Sequence, residues 1–213
     1  IENATKSYCG SVFLGVGFTF DDSPAKKGTT ASLREMREIL VREPHSSERI
    51  APMIGGEELN TDPEQQPSRF IIDFEHMSEV DARRWEGLMD VVERYVRPER
   101  TKSKRDSYRE SWWLFAERQS NMYEAVRRLP RVLCNSSVSA HVAFAWCDPT
   151  WIFGNTLNVF PVESDAFFAV MQSRIHEVWG RLLGSSMKDD LRYTPSDCFE
   201  TFPFPEHWKT HPA

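Results

Sequence analysis

Residues 96 to 113, VRPERTKSKRDSYRESWW, interleave basic and aromatic side chains at a spacing that suits an anionic polymer. Lys and Arg neutralise phosphates, while Tyr and Trp can stack on bases or brace contacts to a phosphate backbone. The same residues also describe a charged loop followed by a helix that turns Trp112 and Trp113 inward, and spacing alone leaves both open. A second stretch, SMKDDLRYTPSDCFETFPFP over 186 to 205, alternates charges before a Phe-Pro-Phe-Pro run. It is too polar for a core strand and too aromatic for a free tail. The expectation is that its aromatic half packs on protein and its charged half faces outward.

Other patterns carry less. Phe13-Leu14-Gly15-Val16-Gly17 fits F-x-G-x-G, the glycine loop that lets backbone approach S-adenosylmethionine at a strand-to-helix turn. Here Phe18 to Asp22 stay strand-like and no helix opens. The N-P-P-F/Y tetrapeptide of amino-methylating enzymes is missing, Cys147-Asp148-Pro149-Thr150-Trp151 being the nearest stretch. No cofactor site is expected in the chain itself. None of the seven lysines has an acidic residue two positions before it, as a (D/E)-x-K nuclease core requires. Asp73, Glu75 and His76 in DFEH could hold a metal in principle. Adjacent strand residues point to opposite faces, so a polar strand end is the simpler reading and no metal is expected. There is no G-x-S-x-G elbow, and the histidines lack a recognisable nucleophile, so no catalytic residue is assigned.

The elements that must position these groups follow from periodicity. Val12, Leu14, Val16, Phe18 and Phe20 alternate as in a half-buried strand. Ser32 caps a helix through Leu40 that ends near Pro44, Gly55-Gly56 marks a turn, and Arg69 to Phe74 reads as a buried strand. Ser78 with Asp81 opens a helix carrying Trp85, Leu88, Val91, Val92 and Tyr95, stopped at Pro98. Tyr108 to Arg118 and Asn121 to Leu129 read as short helices. From Arg131 to Pro161 the chain is rich in Val, Phe, Trp and Thr, with turns at Asn135, Asp148-Pro149 and Gly154-Asn155, and reads as several strands. Ser164 caps a helix whose stripe of Phe167, Phe168, Met171, Ile175, Val178, Trp179 and Leu182 is most simply core. The expected fold is mixed α/β (α+β), a single domain with a mixed sheet flanked by helices.

The 213 residues, 40% hydrophobic and 12% aromatic, suffice for one sizeable core. The chain opens on Ile1 rather than Met, so a fragment of a longer polypeptide is expected. Apolar runs fall far short of the roughly 20 residues of a membrane span. The four cysteines are scattered without a Cys-x-x-Cys pair, which argues against a zinc knuckle or disulfide framework and for a reducing, cytoplasmic setting. Net charge is -6, yet residues 91 to 131 carry eleven Lys and Arg against six Asp and Glu. That asymmetry suits an anionic partner on one face.

Taken in order, KSYCGSVFLGVGF, GGEELN, SRFIIDF, VRPER, ESWW and MQSRIHEVWGRLLGSSMKDDLRYTPSDCFETFPFP resemble the target recognition domain of MmeI-like DNA methyltransferases. These are adenine-N6 enzymes of the type IIL restriction-modification group and related phage-defence methylases. The resemblance covers nearly the whole chain, and the closing block is its most specific part. It implies that residues 1–213 are a DNA target recognition domain, with S-adenosylmethionine and the catalytic motif residing in a methyltransferase domain of the same polypeptide. The family's R-Y-S/T motif falls on Arg192-Tyr193-Thr194, and the spacing from Arg192 to Phe202-Pro203 agrees. By that resemblance Lys188, Asp190 and Arg192 are base contacts, with Asn155, Thr156 and, further off, His141 as a second group. The residue types suit the role: Arg and Lys donate to guanine O6 and N7, Asp accepts from cytosine N4, and Asn pairs with adenine N6 and N7.

The expectation is therefore a bacterial, cytoplasmic, nucleoid-associated domain that reads double-stranded DNA in the major groove while a separate domain extrudes and methylates adenine. Arg100, Lys102, Lys104, Arg105 and Arg109 are the expected DNA backbone contacts. The acidic balance implies that binding by this chain alone is weak and salt-sensitive. The alternative is a protein-protein docking module of a restriction or phage-defence complex, its basic segment meeting an acidic partner. A catalytic domain built on Phe13 to Gly17 is the remaining rival.

Overall fold

The computed structural model describes residues 6–26, 28–187 and 190–206. In chain order it forms β1 (Tyr8–Cys9), β2 (Thr19–Phe20), α1 (Leu33–Arg42), β3 (Ile50–Ile54), α2 (Gly56–Thr61) and β4 (Arg69–Ile72). Then come α3 (Glu79–Ala82), α4 (Glu86–Tyr95), α5 (Arg97–Arg100), α6 (Asp106–Glu110) and α7 (Ser120–Val126). Next are β5 (Val132–Ser136), β6 (Val138–Ser139), β7 (Phe144–Cys147), β8 (Ile152–Phe153) and β9 (Leu157–Phe160). The chain closes with α8 (Asp165–Met171), α9 (Arg174–Leu183), β10 (Ser185–Met187), β11 (Asp190–Arg192) and α10 (Pro195–Cys198). The class is mixed α and β, as the periodicity predicts. No helix among the described residues is long and apolar enough to cross a membrane, and no disulfide joins the four cysteines among those residues.

Contacts gather the chain into two compact units. One takes residues 11–53 and 67–118. Its strands β2, β4 and β3 pair in that order, antiparallel. Its fully buried side chains include Phe18, Phe20, Ile39, Ile71, Ile72, Leu88 and Val92. The other takes residues 6–10, 54–66 and 119–206. It holds the sheet β1-β9-β5-β7 and the smaller sheet β10-β11-β6. Leu133, Phe144, Phe160, Phe167, Met171 and Phe199 form its core, against which Leu191 and Phe204 pack.

Several expected elements are cut differently, each for a local reason. The strand expected over Val12 to Phe20 breaks at Leu14 and Gly15, which adopt left-handed φ of 51° and 133°. A 3-10 turn at Val16–Phe18 follows. Gly17 lies against the backbone of α4, where a Cβ would stand 2.5 Å from the Cβ of Tyr95, so the chain leaves strand geometry to make that approach. Pro98 does not stop a helix: it occupies the first turn of α5, where no backbone N–H is required. Gly55 and Gly56 begin α2 rather than a simple turn, with the Glu58 carboxylate accepting from the Gly55 N–H at 3.0 Å. Asn135 is not a turn but lies within β5, and is 1% exposed.

The long helix expected after Ser164 is two helices. Ser173 caps the second, its hydroxyl accepting from the His176 N–H at 3.2 Å. The interruption resets the helical phase, so His176 and Gly180 turn inward while Ile175, Val178 and Leu182 are 75%, 54% and 74% exposed. The second half of the apolar stripe is therefore a surface ridge and not core.

Candidate nucleic-acid interface

Of the charged half of 186–205, Asp190 and Arg192 lie on one strand of an antiparallel pair. Strand β10 pairs with β11 through Ser185↔Arg192, Ser186↔Leu191 and Met187↔Asp190. Strand β11 pairs on its other side with β6, Arg192 opposite Val138 and Leu191 opposite Ser139. Residues two apart on a strand share a face. Asp190 and Arg192 are accordingly both exposed, while Leu191 turns toward the core. Among the described residues neither Asp190 nor Arg192 makes an ion pair or a side-chain hydrogen bond. Lys188 lies outside the described residues.

Asn155 and Thr156 occupy the turn between β8 and β9 and are both exposed. The Thr156 hydroxyl accepts from the Gly56 N–H at 2.8 Å, which pins it to the start of α2. Ser137 joins this turn to β11: its N–H donates to the Thr156 carbonyl at 2.8 Å, and its carbonyl accepts from the Tyr193 N–H at 2.9 Å. The two sequence-distant groups thus meet through one intervening residue. His141, also exposed, follows β6, with its N–H donating to the Ser139 hydroxyl at 3.3 Å. The Asn60 amide on α2 donates to the Ser136 hydroxyl and the Val138 carbonyl, both at 3.2 Å, and holds the end of β5 to β6.

Beneath this surface lies a polar cluster that residue patterns did not disclose. Asn158 on β9 donates to Asn135 Oδ1 at 3.0 Å and to the Tyr193 carbonyl at 3.2 Å. The Tyr193 hydroxyl meets His176 Nε2 at 2.9 Å. Burial pushes His176 down to about 4 and raises Tyr193 well above the usual phenol range, so both are neutral at physiological pH. The one available signal was an amide inside the apolar run Leu157-Asn158-Val159-Phe160. The aromatic half of the closing block packs as expected, Phe202 edge-on to His176 at 4.5 Å and Phe204 stacked on Phe167 at 5.4 Å.

The basic segment, in the other unit, is more committed to protein than its composition suggests. Arg100 must be withdrawn as a backbone contact: it is 1% exposed and donates through Nη2 to the carbonyls of Phe13 and Leu114, both at 2.7 Å. Phe18 and Tyr108 flank its guanidinium at 5.8 and 5.6 Å, and burial lowers its pKa. Arg105 donates to the Tyr108 hydroxyl at 2.6 Å, and Arg109 donates to the Ser103 carbonyl at 2.7 Å and pairs with Asp106. Both remain exposed, as do Lys102 and Lys104, which have no ion pair among the described residues. Trp112 is buried and Trp113 donates to the Met77 carbonyl at 3.0 Å, so these indoles serve the fold.

Two sequence motifs find structural explanations. In Phe13–Gly17 the Phe13 carbonyl is taken by Arg100 and Gly17 by its approach to Tyr95, which is not the cradle a cofactor phosphate or sulfonium needs. In DFEH the Asp73 carboxylate accepts from Arg118 at 2.9 Å, and Glu75 pairs with Arg118 and Arg49 at 3.4 and 3.7 Å. These carboxylates are neutralised by arginine.

The outward face of β11 carries Asp190 and Arg192, which are unpaired among the described residues, over a sheet anchored by buried polar groups. Residues 19–206 match the family described as MmeI, target recognition domain, and the chain belongs to that family. Among solved structures it is similar to MmeI itself, a type IIL restriction-modification enzyme determined in complex with DNA. The TM-score is 0.73 at 18% identity over 94% of this chain, which shows a shared fold. The chain spans 25% of that enzyme's length. No curated protein matches it.

Proposed function

We propose that this chain is the sequence-reading domain of an adenine-N6 DNA methyltransferase of a restriction-modification system. It would hold duplex DNA for a methyltransferase domain of the same polypeptide, which would carry S-adenosylmethionine and act in the cytoplasm. The observation that carries the reading is the pair Asp190 and Arg192, side by side on an exposed strand face and without a partner among the described residues. Unpaired groups of that kind can donate to guanine and accept from cytosine in the major groove. Lys188, Asn155 and Thr156 complete the proposed base contacts. Lys102, Lys104, Arg105 and Arg109 are the proposed phosphate contacts, which position the duplex without reading it. With a net charge of -6, few phosphates can be neutralised, so affinity must come largely from other parts of the polypeptide.

The test is genome-wide mapping of methyladenine in cells expressing the full-length parent with Arg192 or Arg192→Ala. A defined motif that relaxes at one position in the variant is the expected result. An unchanged motif would move base reading away from β11. One feature favours a second reading as a protein-docking module: the exposed ridge of Ile175, Val178 and Leu182 on α9. An unchanged motif in Arg192→Ala together with lost methylation in Val178→Asp would favour that reading.

A further inference from the structure

The strand pair that carries Asp190 and Arg192 is held by little of its own ladder. Strand β11 makes three residue pairs with β10 and two with β6. Isolated ladders this short are marginal in water, so the position of the exposed face must be set from below. Tyr193, the next residue, supplies three fixed points. Its N–H donates to the Ser137 carbonyl at 2.9 Å, its carbonyl accepts from the Asn158 amide at 3.2 Å, and its hydroxyl meets His176 Nε2 at 2.9 Å. These anchors come from the β5–β6 connection, from β9 and from α9.

Asn158 has a second link. Its own backbone lies in β9 two residues beyond Thr156, so the turn carrying Asn155 and Thr156 is built directly onto it. Its side chain is 4% exposed, between Leu157 and Val159 that are wholly buried. An amide there costs desolvation unless both acceptors are met, and it adds nothing that an aliphatic side chain would not supply in packing. What it adds is direction. A planar NH2 fixes two acceptors, Asn135 Oδ1 and the Tyr193 carbonyl, at set distances where apolar contact would tolerate sliding.

We infer that Asn158, acting with Tyr193 and His176, is a positioning residue that sets the spacing between Asp190 and Arg192 on β11 and Asn155 and Thr156 in the β8–β9 turn. This rests on the base-reading proposal above. Its consequence is that selection at the base pairs read by the two groups is coupled through a residue that touches no DNA. The ligand is duplex DNA, and the site is the buried hinge between the two reading groups.

The experiment is selection from a randomised duplex pool by the full-length protein, comparing Arg192→Ala, Asn155→Ala, Asn158→Ala and Tyr193→Phe, with thermal denaturation of each. Arg192→Ala and Asn155→Ala should each relax one base pair and so mark the two positions. Asn158→Ala should relax both together, by about tenfold each, the scale of one good bidentate contact. Tyr193→Phe removes only the hydroxyl and should relax chiefly the Arg192 position. It decides the matter if Asn158→Ala does not fold. Weaker binding to every sequence by one factor, with unchanged base preferences in Asn158→Ala and Tyr193→Phe, would overturn the inference and leave a purely structural role. If Arg192→Ala and Asn155→Ala change no preference, the base-reading proposal itself falls.

Discussion

Arg192 and Arg100 carry the same guanidinium, and the fold uses them in opposite ways. Arg192 stands on the exposed face of β11 with no partner among the described residues. Arg100 is buried in the basic segment with its Nη2 between two backbone carbonyls. The run of charge from 97 to 109 is the denser of the two, and its composition leaves it open between an anionic ligand and the fold. Yet its arginines are largely spent on the protein, Arg105 on Tyr108 and Arg109 on Ser103 and Asp106. Among the described residues Asp190 and Arg192 on β11 are exposed without an ion pair, as are Lys102 and Lys104 in the basic segment. Charge density along a sequence therefore counts groups without saying which are already occupied.

Three experiments bear on that contrast. The largest effect is expected from Arg100→Ala, which leaves the Phe13 and Leu114 carbonyls without their donor and opens a cavity. A loss of about 4 kcal/mol in denaturant unfolding is expected, with base preferences intact in whatever protein remains folded. A stability change under about 1 kcal/mol would remove the distinction between the two arginines, since surface substitutions behave that way.

The second experiment uses pH. His176 is held down at about 4 by burial, below its ordinary 6.5, so the folded state keeps it neutral while the unfolded chain protonates it. The stability this represents is full above pH 6.5 and falls as pH drops toward 4, by about 3 kcal/mol at most. Denaturant unfolding across that window should show the loss, and His176→Gln should flatten it. A profile unchanged by the substitution would mean that His176 is not the buried anchor under β11.

The smallest effect belongs to the exposed lysines. Lys102→Ala with Lys104→Ala should lower the salt dependence of DNA binding by about two counter-ions and weaken all sequences alike. Competition between the selected duplex and single-base variants should show no change in preference. A change in preference would give the basic segment a reading role and erase the division of labour.

Much of the fold was legible because local physics decided it. Ser32, Ser78 and Ser164 cap helices through hydroxyls that accept from backbone N–H groups three residues on, a relation visible in sequence. The sequence reading expects no strand over 190–192, yet Asp190 and Arg192 lie on one face of β11 because a spacing of two is the period of a strand. Their exposure agrees with the outward face expected of those alternating charges. The outer face of helix α9 was not legible: a continuous 3.6-residue stripe passes through Ser173, and only the competing cap there decided that Ile175, Val178 and Leu182 face outward.

The sequence by itself determined the mixed class, the caps and the family resemblance, since each depends on residues near one another in the chain. The tertiary structure alone decided that Ser137 and Asn158 join the Asn155 turn to Arg192, that His176 lies under Tyr193, and that Arg100 faces inward. Those outcomes depend on which carbonyls and amides the fold leaves for a side chain to satisfy, and buried polar groups are paired by whatever reaches them in space.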